Sequence, residues 1–159
     1  SKPDKGNYWD LWFMAPLRLR FIPVPRGNGR GEIKAVVSAI RVLRSGGKII
    51  IFPEGGRTSK GKEGDFIVSS KNPALRLRKL KNGIGWIMSA GNFAVLPVFA
   101  LGVDKVLPVG CYFPRFWRGI SIHIGGPVFT KLKEHATREY ALEQTARVQK
   151  ALVDLMENV

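Results

Sequence analysis

The residues best placed to do chemistry stand side by side at Phe52-Pro53-Glu54-Gly55-Gly56-Arg57-Thr58. A carboxylate, two glycines, a guanidinium and a hydroxyl follow one another without a gap. Glycine has no Cβ, so a ligand can approach its backbone closely. Arginine offers a planar fork that matches a phosphate. Together they describe an anion-binding turn with a carboxylate beside it. On the local pattern alone, a β-turn with an ion pair on its rim accounts for the same residues.

Something must hold that turn in place. Ile49-Ile50-Ile51-Phe52 is a short, wholly apolar run, which predicts a strand buried on both faces of a sheet. Pro53 has no N–H to give and ends the ladder. In open α/β sheets ligands bind outside the carboxyl ends of strands, which is where Glu54 to Thr58 would fall. Upstream, residues 20–24 read as a short strand and residues 31–44 as a helix. Ile33, Val36, Val37, Ile40 and Leu43 lie at helical spacing, so they are expected on its buried face. Gly46-Gly47 should stop that helix. Strand, helix, strand in this order predicts a right-handed parallel crossover. Arg26, after the first strand, and Arg57, after the second, would then open on the same side of the sheet, where both forks and the loop amides could hold a phosphate.

The remaining segments frame this unit. Residues 8–19 are dense in aromatic and aliphatic side chains, interrupted by Pro16 and followed by Arg18 and Arg20, a pattern that suits either a core helix or a membrane interface. Lys71, Arg76, Arg78, Lys79 and Lys81 crowd a stretch without an acid, and the alternation over residues 75–80 partly fits an edge strand with an exposed basic face. Residues 82–91 read as a short helix whose Gly83 and Gly85 permit close packing. Residues 94–100 form another apolar run, and Pro97 inside it marks an edge strand or a bulge. Tyr112, Phe113, Arg115, Phe116, Trp117 and Arg118 form an aromatic and basic loop, expected to cover the core and also suited to touching lipid or stacking on bases. In the strand over residues 120–128, His123 alternates with Ile122 and Ile124 and is expected to point away from the core or into a satisfied pocket. Thr137 is a good N-cap for a final helix. Ala141, Thr145, Val148, Leu152, Leu155 and Val159 form its docking face.

With 159 residues, 45% of them hydrophobic and 10% aromatic, the chain is expected to form one domain over residues 1–159 with a real core. Lys plus Arg number 26 against 12 Asp plus Glu, a formal charge of +14, which favours an anionic partner. The single cysteine, Cys111, precludes an internal disulfide and agrees with a reducing compartment. No apolar run approaches the roughly 20 residues that cross a bilayer. No signal peptide is recognisable, and the abrupt polar opening at Ser1 suggests a segment before it. The two histidines, His123 and His135, lie in no zinc spacing, so no metal is expected.

The block Phe52-Pro53-Glu54-Gly55-Gly56-Arg57-Thr58 resembles the Phe-Pro-Glu-Gly-Thr-Arg-Ser block of the glycerolipid acyltransferases, the glycerol-3-phosphate and 1-acylglycerol-3-phosphate acyltransferases and their relatives. Gly56 stands where the family has Thr, and Thr58 where it has Ser. Leu96-Pro97-Val98 and Val106-Leu107-Pro108 resemble the family's later Val-Pro-Val strand and Leu-Pro loop, so the likeness runs from about residue 7 to residue 128. It implies a glycerol-3-phosphate acyltransferase-like fold: an α/β domain with a central mixed, mostly parallel sheet flanked by helices. It implies transfer of an acyl group from a coenzyme A or carrier-protein thioester to a glycerol hydroxyl, in phospholipid biosynthesis or remodelling. Arg57 and Glu54 would bind the acceptor's glycerol phosphate with Gly55, Gly56 and Thr58, Arg26 would share that role, and Pro97 would shape the acceptor pocket. No cofactor is needed, since the thioester is a substrate.

The family also carries a His-x4-Asp motif in which the histidine takes the hydroxyl's proton and the aspartate orients it, sound chemistry for a weak nucleophile. Asp10 matches the aspartate, which with Glu54 makes the expected catalytic carboxylates. Five positions back stands Lys5, not histidine. Three explanations compete: an insertion that pushes the histidine before Ser1, a lost histidine that leaves a binding protein, or Lys5 as a base of depressed pKa. The reading is therefore an acyltransferase docked peripherally on the cytoplasmic face of an anionic membrane. Its rivals are a lipid- or acyl-thioester-binding relative without turnover and a basic nucleic-acid-binding domain. No RNP, KH or zinc-finger signature supports the last, so no nucleic acid is expected.

Overall fold

The computed structural model of the chain describes residues 22–24, 29–56, 64–108, 111, 113–130 and 137–159. Lys5, Asp10, Arg26, Arg57 and Thr58, the aromatic stretch 8–19 and Tyr112 lie outside the described residues.

Helix α1 spans Gly29–Arg44, with Glu32 in its first turn and Arg41 and Arg44 in its last, each sign matching the helix dipole. Gly46 ends it at φ 79°. The Gly46 N–H donates to Leu43 O and the Gly47 N–H to Val42 O, the paired bonds of a Schellman stop. The buried stripe differs from the expected one. Ala35 and Ala39 are buried, while Ile33 and Val37 are exposed and Val36, Ile40 and Leu43 are half-buried. The two alanines let the helix approach its neighbour closely, which rotates the larger side chains toward the edge of the contact.

After the stop, residues 47–52 run without a ladder, so the strand expected there is not formed among the described residues. The chain is one-sided: Ile49 and Ile51 are half-buried, whereas Ile50 and Phe52 are 86% and 84% exposed. A wholly apolar run cannot distinguish one buried face from two, and here one face is covered. Residues 22–24, its expected parallel neighbour, also lie outside any ladder. Every ladder among the described residues is antiparallel. The class is thus α/β with short antiparallel strands, and no parallel ladder forms among the described residues.

Strands β1 (Phe66–Val68) and β2 (Arg76–Arg78) form one hairpin, in which Phe66 faces Arg78 and Val68 faces Arg76. The Arg76 guanidinium lies 4.8 Å from the centre of the Phe66 ring, a cation–π contact across the pair. Leu77 and Leu80 point the other way, into the core. Helix α2 (Gly83–Ser89) then lies against the long final helix α4 (Arg138–Glu157), the most extensive contact between elements. Gly85 is where they touch: a Cβ there would overlap the Ala141 carbonyl and the Thr145 hydroxyl. The Thr137 hydroxyl caps α4 by accepting the Tyr140 N–H, as expected. Ala141, Thr145, Val148 and Leu152 are buried on its docking face, Leu155 is half-buried, and Val159 lies beyond the helix and is exposed. The core joins Leu77, Leu80, Ile84, Met88, Phe99, Val148, Leu152 and Met156.

Strands β3 (Ala94–Val95) and β4 (Val98–Leu101) pair with β6 (Val128–Phe129) and β5 (Ser121–Ile124), respectively. Between the two ladders, residues 96–97 oppose residues 125–127, one extra residue on one side, which is a bulge. Pro97 sits in it, buried, as its missing N–H requires. A single turn of helix, α3 (Val103–Val106), follows β4. The register gives His123 the inward of its two expected directions: it lies half-buried on the face it shares with Phe99, and Ile122 and Ile124 are the exposed residues. The loop after α3 does not cover the core either, since Phe113, Phe116 and Trp117 are all strongly exposed.

Candidate functional site

The turn at Glu54, Gly55 and Gly56 follows the one-sided segment and is closed by the Gly55 N–H donating to Phe52 O at 3.2 Å. Gly55 takes φ 68°, a conformation that a side chain disfavours. The turn is held from the side by the stretch that leaves β2. The Lys81 N–H donates to Pro53 O at 2.8 Å. The Arg78 N–H donates to Glu54 Oε2 at 3.2 Å. The half-buried Glu54 carboxylate thus has a fixed partner on its own protein.

Two cations come with those backbone bonds. The stem of Lys81 passes over Gly55, and a Cβ on that glycine would lie 3.2 Å from Lys81 Cγ. The Arg78 guanidinium reaches across Gly56, where a Cβ would lie 2.9 Å from Nη1. Its Nη2 donates to Asp65 Oδ2 at 3.3 Å, an ion pair in which the Arg78 side chain is 16% exposed. The Lys79 N–H donates to Asp65 O at 2.8 Å, which fixes the acid's backbone to the same strand end. Carboxylate, bare backbone and two basic side chains therefore share one turn. The forked guanidinium, the ammonium and the open backbone are donors that suit an anion.

Of the residues expected from sequence, Glu54, Gly55 and Gly56 are together here. Pro97 makes its contacts elsewhere, its carbonyl accepting the Gly125 N–H at 2.9 Å. Asp10, Arg26, Arg57 and Thr58 are not among the described residues. Arg78 was expected on an exposed basic face, and that is corrected: its charge is turned inward, onto the glycines. The density of basic residues over 71–82 without an acid was the available signal. The partner turn was not legible, because the contact is made through backbone pairing that no spacing of residue types reports.

A family model described as Acyltransferase matches residues 7–100, more than half of the chain. The chloroplastic 1-acyl-sn-glycerol-3-phosphate acyltransferase of Arabidopsis thaliana is 24% identical over 99 residues, covering 62% of this chain and 23% of its own length. A chloroplastic counterpart from Brassica napus is 23% identical over 99 residues, covering 62% of this chain and 24% of its own length. The chain thus spans about a quarter of the length of these curated relatives. No solved structure matches. The matched stretch takes in the glycine turn, both cations packed on it and Pro97, and on that extent the chain belongs to the acyltransferase family.

Proposed function

We propose that this protein moves a fatty acyl group from a coenzyme A or carrier-protein thioester to the hydroxyl of a (lyso)glycerophospholipid or glycerol phosphate acceptor. The observation that carries the reading is the turn at Glu54 to Gly56, with Arg78 and Lys81 against it, inside the stretch matched by the family model. The acceptor's phosphate would lie on the glycine backbone, held by Arg57 and Thr58 of the same block and by Arg26. Glu54 would accept a hydrogen bond from the glycerol, and Pro97 would shape the acceptor pocket. In the transfer, the thioester C–S bond breaks and an ester C–O bond forms. A base takes the hydroxyl's proton, which ends on the departing thiolate. Asp10 would orient that base.

The surface supports a place on the cytoplasmic face of an anionic membrane. Phe113, Phe116 and Trp117 are exposed beside Arg115 and Arg118, a combination suited to the headgroup level. Among the described residues, no helix is long and apolar enough to cross a membrane. Lys5 at the family's histidine position favours one other reading, a binding relative without turnover.

Release of free thiol separates the two. The intact native protein, given acyl-coenzyme A with glycerol 3-phosphate or lysophosphatidate, is expected to release thiol in step with ester formation. Release of none across several acceptors, with carrier-protein donors also tried, would leave the binding reading.

A further inference from the structure

Gly56 stands where the family's block has threonine, and the space that a side chain would enter there is taken by Arg78 Nη1, 2.9 Å from the position of the absent Cβ. We propose that Arg78 is a further cation of the headgroup site, that Gly56 exists to admit it, and that the pair favours a phosphate monoester over a diester. The inference rests on the reading of the turn as a headgroup site.

Three observations support it. First, Arg78 is anchored: its N–H is bonded to Glu54 Oε2 and its Nη2 to Asp65 Oδ2. A guanidinium held in place loses little freedom when a ligand arrives, so more of each new bond is kept as affinity. Second, the anchoring uses one edge of the fork and leaves Nη1 over the backbone of the turn. Third, the site already holds Lys81 over Gly55. A monoester near neutral pH carries close to two charges, against one on a diester, so each added cation weights the choice toward the monoester. The alternative role is mechanical, with Arg78 serving only to join the hairpin to the turn.

Equilibrium binding of glycerol 3-phosphate and of glycerophosphocholine to the intact protein tells these apart, read beside the thermal midpoint. Arg78→Gln is expected to weaken glycerol 3-phosphate about tenfold or more, the scale of a lost hydrogen bond to a charged group, with little change for the diester and with the midpoint kept. Arg78→Lys, which keeps the charge, should retain most of the preference and carries the test if the glutamine variant does not fold. Gly56→Thr should weaken the monoester as well, because the new side chain displaces the guanidinium from the turn and from its bond to Asp65. The double variant Gly56→Thr/Arg78→Gln should be no worse than the worse single one. Wild-type affinity in Arg78→Gln, or an equal loss for both ligands in step with the midpoint, would overturn the inference while leaving the headgroup reading intact. Failure of the wild type to bind either ligand would remove the headgroup reading, and this inference with it.

Discussion

Gly85 sets how closely α2 can lie on α4. A methyl group there would overlap the Ala141 carbonyl, and backbone cannot move aside as a side-chain end can. Gly85→Ala is therefore expected to destabilise the protein by about 2–3 kcal/mol, as overpacking does, despite alanine's better helix propensity. Urea unfolding measures it, and an unchanged midpoint would show that the helices are not in contact at this point. Gly56 offers the contrast: its would-be neighbour is a side-chain end held by a bond to Asp65, not backbone, so substitution there should cost ligand more than stability. At this scale the sequence was partly readable. Gly85 as a packing residue and Pro97 as a bulge both follow from what those residues lack. Arg78 was misplaced and His123 was left between two directions, because the direction of each depends on the register of a partner strand.

The end of α4 is held by a clasp. The Glu157 carboxylate accepts the Ser70 N–H at 2.7 Å, the Ser69 hydroxyl at 3.0 Å, the Ser70 hydroxyl at 3.1 Å and the Lys71 N–H at 3.3 Å. A carboxylate at a helix C-terminus is opposed by the helix dipole, and these donors offset that. The Ser70 N–H foremost, with the two hydroxyls and the Lys71 N–H, lowers its pKa from the ordinary 4.5, against a smaller opposing effect of burial. A lowered folded pKa means that the clasp stabilises fully above the ordinary carboxylate range. Its contribution fades as pH falls through the folded value. Glu157→Gln should then melt below the wild type near neutral pH, with the gap closing on acidification. A gap that stays constant through that range would contradict the clasp. Helix limits were legible because caps and stops are written within a few residues, as at Thr137 and Gly46-Gly47. Strand pairing was not, since the Ile49 to Phe52 run carries no record of which face is covered.

Over the whole molecule, in the proposed reading, a formal charge of +14 and the exposed aromatic loop draw the protein toward an anionic surface, with the glycine turn as the one specific place for that attraction. The family was readable because seven adjacent residues carried it, without need of the fold around them. The site's second rank, Arg78 and Lys81, came from the hairpin that the chain makes after leaving the block. The central claim is that this turn holds a phosphate headgroup. Its most direct test is the affinity of the intact protein for glycerol 3-phosphate with and without the guanidinium of Arg57. The account predicts that Arg57→Ala weakens binding about tenfold or more at an unchanged thermal midpoint, and an affinity equal to the wild type's would contradict it.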